Sequence, residues 1–464
     1  MGIIVAVGIL ISIGASGLGE KEPYVKGPDV QVSLARPNLQ HYETQMGADP
    51  ESADHLIACA YVLSGPSGEI SNVVYVSFDG GETWTHTLTM ENSVDPSCAI
   101  GIHGVAFVSS IHDVKQPDGS IPSFLNVRRS GDGGRTWQES SIQIDSSSFD
   151  RDYLTLDDTN GRFRHRVYVH GYLSKPKDST GNPVPPRFVF CPSTDEGRTF
   201  DRVIPREASD FAKPWFFIAN GVVSKDGVFS ALFVELDKTK QNMSYKTDPS
   251  SAPKGVNAVL KIVRSLDGGE TLDQPVKIAD VYYDSRIPQL SMSSLAVDQS
   301  SGPFSGRMYA SWPGAGPEPR TQVFVSYSSD RGKTWSKPRI VSDDAGVIPN
   351  GSNPNNFMPV LAVNKNGVVG ISWYDRRDNP DDLGYWVRFS ASLDGGASWL
   401  PSIRVSTHAN VVNPAEHDTR FNGGDTAGLA ADAKGVFHPL WIDNRTGVHQ
   451  MWTTTVMVRQ HVHN

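Results

Sequence analysis

The sequence predicts an all-β fold arranged as a β-propeller. Glycine and proline are abundant, at 43 and 31 residues, and charged residues make up only 20% of the 464-residue chain. This composition favours many short strands joined by turns. One short segment also recurs six times, with successive starts 53, 63, 72, 63 and 64 residues apart. A repeat of that length, filled with strand-like runs, suits one four-stranded propeller blade with its loops.

The chain begins with an apolar run over residues 3–13, followed by small residues at 14–17. The run is too short to span a bilayer, which needs about 20 residues, but it fits the apolar region of a signal peptide with its cleavage zone. No Lys or Arg precedes the run, and a buried first strand is the alternative interpretation. We expect residues 1–19 to direct secretion, to the periplasm or the extracellular space. Residues 20–464 are then expected to form a single domain without a stable membrane span.

The recurring segment reads Ser-x-Asp-x-Gly-x-Thr-Trp, with Phe or Leu at the last position of two copies and Ser for Thr in another. Its copies begin at Ser77, Ser130, Ser193, Ser265, Ser328 and Ser392. Asp accepts hydrogen bonds from backbone N–H groups just downstream, and Gly adopts positive φ without a Cβ penalty. The segment is therefore predicted to close a tight turn between two strands, with its final aromatic side chain packed between strands. This is a structural role.

Apolar runs between the repeats predict the blades. The runs that open each unit cover residues 44–49, 96–102, 153–157, 215–220, 293–298, 358–364 and 426–432. The seventh unit continues through residues 436–442 and 450–458 but ends before a seventh repeat, so it lacks an outer strand. Residues 29–34 alternate suitably to supply that strand. We predict seven four-stranded blades closed by strands from both termini, which removes exposed sheet edges. Six blades is the alternative, with residues 44–90 as an irregular lead-in.

The most irregular insertions cover residues 175–186, 237–258 and 313–320, each between the second and third strands of its unit. Such loops open on the same face of the disc as the loops that enter the first strands, whereas the repeats lie on the opposite face. Because binding and catalytic residues are concentrated on loops carried by a rigid scaffold, function is expected on the insertion face.

Arginine, aspartate and tyrosine are concentrated at the positions predicted to surround the central channel. Arginine binds carboxylates with its planar fork, and an indole ring can stack on a sugar. Candidates for substrate binding are Arg151, Arg286, Arg376, Arg420, Arg445 and Trp215. Candidates for catalysis are Asp425, Asp375, Asp152, Tyr153 and Tyr374. The alternative for each charged residue is an ion pair that connects a loop to its blade.

Asp425 and Asp375 are the strongest of these candidates. Asp425 follows Gly423 and Gly424, which allow close backbone approach at the start of the seventh inner strand. Asp375 ends an apolar run and precedes two arginines, which would hold it ionised. The alternative for both is a role in a cap or turn.

The six repeats are identified as Asp-boxes, and over residues 40–456 the chain resembles the sialidase (neuraminidase) superfamily of Asp-box (BNR repeat) β-propellers. The resemblance implies three arginines that clamp a substrate carboxylate, an Asp acid/base and a Tyr–Glu nucleophile. The family's Arg-Ile-Pro element precedes the first Asp-box, whereas Arg286 begins such a tripeptide after four boxes. The sequence shows no clear Tyr–Glu pair, and Glu235 and Glu416 are the best-placed glutamates.

The resemblance implies a secreted glycoside hydrolase of exo-α-sialidase type, acting on the terminal acidic sugars of glycans. One alternative is a non-catalytic propeller that binds glycans or proteins, since a fold does not determine a function. Another is a different polysaccharide-cleaving enzyme, such as a lyase. The expected partner in each enzymatic case is a glycan or acidic carbohydrate, and the sequence gives no indication of an oligomeric state.

Several other classes lack their sequence signals. The net charge of −9 and the pI of 5.8 leave no basic footprint for nucleic acid. The sequence contains no zinc-ligand spacing, nucleophile elbow or nucleotide-binding glycine loop. Acidic doublets at Asp157-Asp158 and Asp381-Asp382 could bind Ca²⁺, but without EF-hand spacing we expect solvated loops and no cofactor.

The chain has three cysteines, at positions 59, 98 and 191. An odd number leaves at least one free thiol, so at most one pair can form, and Cys59 with Cys98 is the candidate. We favour the alternative that all three cysteines are small, unpaired core residues on strands.

Overall fold

The computed structural model describes residues 22–64, 68–113, 117, 119, 123–138, 142–145, 149–173, 180, 182–200, 203–206, 209–211, 214–237, 258–281, 293–315, 320–344, 355–379, 384–411 and 423–460. These residues form a seven-bladed β-propeller, which confirms the predicted fold class and blade count. The predicted signal peptide lies outside the described residues. Among the described residues, no helix is long and apolar enough to cross a membrane.

Two short strands, β1 (Tyr24–Lys26) and β2 (Val30–Gln31), precede the first blade. Blade 1 consists of β3 (Gln40–Ala48), β4 (Leu56–Ser64), β5 (Glu69–Ser77) and β6 (Thr85–Glu91). Blade 2 consists of β7 (Ser93–Ile100), β8 (Ala106–Asp113), β9 (Ser123–Ser130) and β10 (Ile142–Asp145), with a 3₁₀ turn at Ile102–Gly104. Blade 3 consists of β11 (Phe149–Leu156), β12 (Val167–Leu173), β13 (Arg187–Ser193) and β14 (Ile204–Arg206).

Blade 4 consists of β15 (Pro214–Val223), β16 (Phe229–Asp237), β17 (Ala258–Ser265) and β18 (Val276–Val281). Blade 5 consists of β19 (Ser294–Val297), β20 (Met308–Ala315), β21 (Thr321–Ser328) and β22 (Arg339–Ile340). Blade 6 consists of β23 (Asn356–Val363), β24 (Val369–Asp375), β25 (Trp386–Ser392) and β26 (Ile403–Arg404). Each blade is an antiparallel sheet in chain order. The first strands of adjacent blades pack together round the ring, so they line its centre.

Blade 7 joins the two ends of the chain. Its strands β27 (Gly428–Ala431), β28 (Phe437–Asp443) and β29 (Gln450–Thr453) are completed by β2, whose Val30 pairs with Thr453. A last strand, β30 (Val456–Val458), pairs with β1 and touches β28 where Phe437 opposes Val456. The run at 450–458 is therefore divided between two strands, because the chain leaves β29 at residues 454 and 455.

The core is distributed between the blades. Seven hydrophobic clusters each combine buried side chains from two neighbouring blades, one cluster for each interface. Cys59 and Cys98 belong to the cluster between blades 1 and 2, and Cys191 to that between blades 2 and 3. All three are buried free cysteines. Apolar side chains thus hold adjacent blades together by packing between them.

The six Asp-boxes form the turns between the third and fourth strands of blades 1 to 6. In the second copy the Ser130 hydroxyl donates to Asp132 at 2.7 Å, and Asp132 accepts from the Thr136 N–H at 2.9 Å and hydroxyl at 2.6 Å. The same bonds recur in the other five copies. The hydrogen bonds from Thr136 and Ser130 lower the pKa of Asp132 to about 2.

Candidate functional site

Four inner strands share an unusual feature near the channel mouth. The strand register shifts after Tyr42, Val94, Asp150 and Phe357, which marks a β-bulge in blades 1, 2, 3 and 6. The residue after each shift has a left-handed backbone: Glu43 (φ 54°), Asp95 (φ 51°), Arg151 (φ 57°) and Met358 (φ 55°). Such backbones cost about 1–3 kcal/mol each and are concentrated at functional sites, where bulges re-aim side chains. The repeated strain therefore points to this level of the ring.

Two of these bulge residues, Arg151 and Glu43, interact with Asp425 of blade 7, and Asp95 joins them through Arg151. The Arg151 guanidinium forms a salt bridge with the Asp425 carboxylate, and the Arg151 N–H donates to Asp95 Oδ2 at 3.3 Å. The Glu43 carboxyl is hydrogen-bonded to that of Asp425. Residues from blades 1, 2, 3 and 7 thus form one polar cluster, here called the carboxyl cluster: Glu43, Asp95, Arg151 and Asp425.

Glycine at position 424 permits this approach. A Cβ at Gly424 would lie 2.3 Å from Glu43 Cγ and 2.7 Å from Glu43 N, and its φ of +85° is itself unfavourable for other residues. The Glu43 N–H also donates to the Gly423 carbonyl at 2.9 Å. The glycine pair therefore brings the backbone of blade 7 against blade 1 and sets Asp425 beside Glu43.

The carboxyl cluster borders the central channel. A small cavity of about 10 Å³, room for roughly one water molecule, is lined by Glu43, Gln45, Asp95, Pro96, Arg151, Asp152, Tyr153 and Thr426. A larger cavity of about 120 Å³ shares Gln45, Tyr153 and Thr426 as lining residues and extends to Met358 and Asn220. A group bound in the larger cavity would have the carboxyl cluster at one end.

The acids of the cluster hold their protons differently. Burial, together with the charge of Asp150, raises the pKa of Asp95 to about 6. Burial and the neighbouring Asp425 raise the pKa of Glu43 well above its ordinary value. Burial also opposes ionisation of Asp425, but the Arg151 guanidinium and the Glu43 carboxyl together outweigh burial and hold the pKa of Asp425 below its ordinary value. A proton donor and an ionised carboxylate therefore share one site, the arrangement used in acid/base catalysis.

Tyr153 and Asp152 lie beside this cluster. The Tyr153 ring stacks on His170 with a centroid distance of 5.7 Å, and burial raises the pKa of its phenol. Asp152 is 1% exposed and accepts a hydrogen bond from the Ser109 hydroxyl. Burial raises the pKa of Asp152 well above its ordinary value. Both residues line the small cavity.

Trp215 lies at the start of the inner strand of blade 4. Its ring is partly buried against Phe217, at a centroid distance of 5.1 Å, and its side chain is hydrogen-bonded to Tyr172. The Tyr172 hydroxyl in turn donates to Asp150 Oδ2 at 2.6 Å. This chain of contacts connects the indole to the residue that precedes Arg151.

The structure places Asp375, Arg376 and Tyr374 in the body of blade 6. Asp375 is 1% exposed, accepts from the Trp373 indole at 3.0 Å and forms a two-oxygen ion pair with Arg377 at 2.8–3.0 Å. Arg376 donates from Nε to the Gly384 carbonyl at 2.9 Å. Tyr374 stacks on Tyr385 at 3.9 Å in the core between blades 6 and 7. These contacts place all three side chains in the scaffold of blade 6 rather than in the carboxyl cluster.

Arg445 has the same kind of surroundings in blade 7. It pairs with Asp443 at 2.5–3.1 Å, and Asp443 accepts from the Trp441 indole at 2.9 Å. Arg445 also reaches Asp29 at 2.9 Å, as Arg377 reaches Asp343 at 2.8 Å. Trp-x-Asp-x-Arg is thus a repeated clamp, which ties the end of the second strand to the neighbouring outer strand. Arg445 contacts this clamp rather than the carboxyl cluster.

The remaining candidates fall into two groups. Arg286, Arg420, Glu416 and the doublet Asp381-Asp382 lie outside the described residues. Glu235 is fully buried and forms an ion pair with Lys261 at 2.7 Å in blade 4. Within the described ranges, no three His, Cys, Asp or Glu side chains are grouped so that they could hold a metal ion.

Glu43 and Asp95 are site residues that the sequence reasoning missed. The predicted strands began at residues 44 and 96, where apolar alternation resumes after each bulge. A signal does exist: Glu43, Asp95 and Arg151 each lie six residues before the turn residue that ends the inner strand, at Asp49, Gly101 and Asp157. Aligning the blades on that turn residue would have placed all three side chains at one level.

Comparison with known proteins supports the repeat. The BNR/Asp-box repeat matches residues 75–86, which contain the first Asp-box. A search of curated proteins finds no significant match to the chain. Solved structures of similar fold include a protein of unknown function from Dyadobacter fermentans, with 13% identity over 94% of this chain and 100% of that chain, at a TM-score of 0.49.

Two further structures are glycosidase-type enzymes. An intramolecular trans-sialidase from Ruminococcus gnavus is 12% identical over 75% of this chain and 92% of its own, with a TM-score of 0.48. An α-L-arabinofuranosidase from Fusarium graminearum is 12% identical over 80% of this chain and 98% of its own, with a TM-score of 0.47. At these identities and TM-scores the likenesses say nothing about the substrate of this protein.

Proposed function

We propose that this BNR/Asp-box propeller is a glycoside hydrolase whose active centre is the carboxyl cluster with Tyr153. One observation carries the proposal: Asp95, with a pKa of about 6, lies beside Asp425, which Arg151 keeps ionised. Glycoside hydrolysis uses two such groups, an acid for the leaving oxygen and a carboxylate for the positive charge that develops on the sugar. The adjoining 120 Å³ cavity offers space for part of a sugar at the channel mouth.

Each member of the cluster has a distinct task in this mechanism. Asp95 donates its proton to the glycosidic oxygen as the bond to the anomeric carbon breaks. Water then adds to that carbon and gives a proton back to Asp95, which restores the acid. The Asp425 carboxylate, next to the cavity-lining Thr426 and paired with the cavity-lining Arg151, stabilises the oxocarbenium-like transition state by its negative charge. Arg151 holds Asp425 ionised and orients it. Glu43, protonated because burial and the neighbouring Asp425 raise its pKa, donates a hydrogen bond to the Asp425 carboxylate.

A finer candidate within this class is exo-α-sialidase activity on terminal acidic sugars. Tyr153 and Glu43 line the same small cavity, together with Arg151, and so supply the types of residue that the sialidase resemblance requires. A carboxylated sugar also needs more arginines at this pocket, because Asp425 already occupies Arg151. Arg286 and Arg420 are the candidates for that role. A sialoside is therefore the first acidic substrate to test, against neutral sugars.

The test is release of a fluorescent aglycone from a panel of aryl glycosides, headed by an aryl sialoside and including neutral sugars. Release of any aglycone by the folded protein supports a hydrolase, and the preferred sugar identifies the substrate class. Binding of glycans without release from any of them would instead favour a non-catalytic glycan-binding propeller. A product that absorbs in the ultraviolet as an unsaturated uronate would identify a lyase and contradict the hydrolytic proposal.

A further inference from the structure

Two cysteines meet across the interface between blades 1 and 2. Cys59, on β4, and Cys98, on β7, are both buried in the same hydrophobic cluster. Burial raises the pKa of the Cys59 thiol, and the neighbouring Cys98 raises it further. Each thiol also reaches the other blade: Cys59 donates to the Pro96 carbonyl at 3.5 Å and Cys98 to the Gln45 carbonyl at 3.6 Å. Since Gln45 is the cross-strand neighbour of Cys59, the two thiols lie at the same level of the interface between blades 1 and 2.

The thiols lie directly behind the carboxyl cluster. Pro96 follows the bulge residue Asp95, and Gln45 lies two residues after the bulge residue Glu43. Both Pro96 and Gln45 line the small cavity. The two S–H···O=C contacts therefore connect the pair to the strand segments that carry Glu43 and Asp95. A disulfide between the two sulfur atoms would therefore change the packing of blade 1 against blade 2.

We propose that Cys59 and Cys98 are a redox-active pair that forms an interblade disulfide when exposed to a small-molecule disulfide. In the reaction the two thiols lose two protons and two electrons, and one S–S bond forms between Sγ atoms. The oxidant, such as glutathione disulfide, accepts the electrons and protons, and its own S–S bond breaks to give two thiols. Cys191 remains a thiol, because it lies in a different interface, between blades 2 and 3.

The disulfide is expected to stabilise the ring. It would close a loop of 39 residues between positions 59 and 98 and so restrict the unfolded chain. It would also join covalently two blades that are otherwise held by apolar packing and weak thiol hydrogen bonds. The expected rise in Tm is about 5 °C for a chain of this size.

The experiment counts thiols in the full chain after equilibration, or refolding, in defined mixtures of reduced and oxidised glutathione. After denaturation the free thiols are alkylated and counted by mass. The expected result is three thiols under reducing conditions and one under oxidising conditions, with a cross-linked peptide pair that contains Cys59 and Cys98. Cys191→Ala is the matched control. Its thiol count should fall from two under reducing conditions to none under oxidising conditions, and its Tm should rise on oxidation by as much as that of the parent.

Cys98→Ala should keep two thiols and show no rise in Tm on oxidation. Three persistent thiols in the oxidised parent would overturn the proposal, as would separate glutathione adducts or a cross-link that includes Cys191. A Cys59–Cys98 cross-link that leaves Tm unchanged or lowers it would overturn the stabilising role. None of these readouts requires turnover, so the thiol pair and the hydrolase proposal stand or fall separately.

Discussion

Asp95 and Asp425 carry the same functional group but hold protons differently because of their neighbours. The Asp425 carboxylate is paired with the Arg151 guanidinium, whereas the Asp95 carboxyl accepts only the backbone N–H of Arg151. The sequence predicted Asp425 from its two preceding glycines, and the close approach of Gly424 to Glu43 gives that pattern its physical reason. The sequence alone could not predict the pairing of Arg151 with Asp425, because these residues are 274 positions apart and meet only when the ring closes.

The pKa of Asp95 predicts the pH dependence of activity. As pH rises through about 6, Asp95 loses the proton that the leaving group needs, so kcat/KM should fall on the alkaline side. Because the pKa of Asp425 lies below its ordinary value, protonation of that carboxylate limits activity only at more acidic pH. The measurement is kcat/KM between pH 3 and 9 for the parent and for Asp95→Asn. An alkaline limb near pH 6 that persists in Asp95→Asn would assign the acid to another residue.

At the scale of single elements, strand runs and turns were predictable but strand starts were not. Apolar alternation marks a strand only while successive side chains alternate faces, and a β-bulge interrupts that alternation. The inner strands of blades 1, 2 and 3 consequently begin three or four residues earlier than the apolar runs did. Those added residues include Glu43, Asp95 and Arg151. The features that the pattern hid are therefore the ones that form the candidate site.

The Asp-box turns allow a matched test of local packing. Gly80 and Gly268 occupy the same box position, with φ of +74° and +73°. A Cβ at Gly80 would meet only Ala53 O at 3.7 Å, whereas a Cβ at Gly268 would lie 2.3 Å from the Phe163 ring. Gly80→Ala should cost about 1 kcal/mol from backbone strain, and Gly268→Ala about 1–3 kcal/mol more from overpacking. Urea unfolding measures both, and equal losses would contradict the packing argument.

The Trp-x-Asp-x-Arg clamp predicts a large effect from a residue outside the carboxyl cluster. Removal of Arg377 leaves the buried Asp375 carboxylate without its cation, so Arg377→Ala should lower the free energy of unfolding by about 3–5 kcal/mol. The control is Lys277→Ala, which breaks an exposed pair with Asp280 and should cost at most about 1 kcal/mol. Urea unfolding of the two variants checks this. Comparable small losses would show that the clamp does not stabilise blade 6.

At the scale of the molecule, the repeat alone determined most of the architecture. Six boxes, seven opening runs and a seventh unit without an outer strand predicted seven blades, and β2 occupies the outer position of blade 7. The pairing of β1 with β30 was not predicted, because strands of three residues leave too little pattern to identify. The position of Arg445 was likewise unpredictable, since its partner Asp29 lies at the other end of the chain.

The six boxes together predict how stability depends on acid. The pKa of the Asp in every box is lowered, to about 2 in the case of Asp132 and Asp330. A carboxyl with a lowered folded-state pKa stabilises the fold above its unfolded value, about 3.9, and this stabilisation is lost as pH falls through the folded value. Tm should therefore drop progressively between about pH 4 and 2. Asp132→Asn should flatten this drop, and a Tm independent of pH in this range would contradict the expectation.

The central claim is that the carboxyl cluster, and not the neighbouring clamp, carries out catalysis. The most direct test compares turnover of the best aryl glycoside by Asp425→Asn and by Asp443→Asn. Asp425 and Asp443 both belong to blade 7. Each substitution removes the carboxylate partner of one arginine, Arg151 for Asp425 and Arg445 for Asp443. We predict that Asp425→Asn lowers kcat by about 10²–10⁴-fold per folded molecule, while Asp443→Asn lowers Tm but leaves kcat within a few-fold of the parent. Full turnover by folded Asp425→Asn, or equal loss in both variants, would contradict the account.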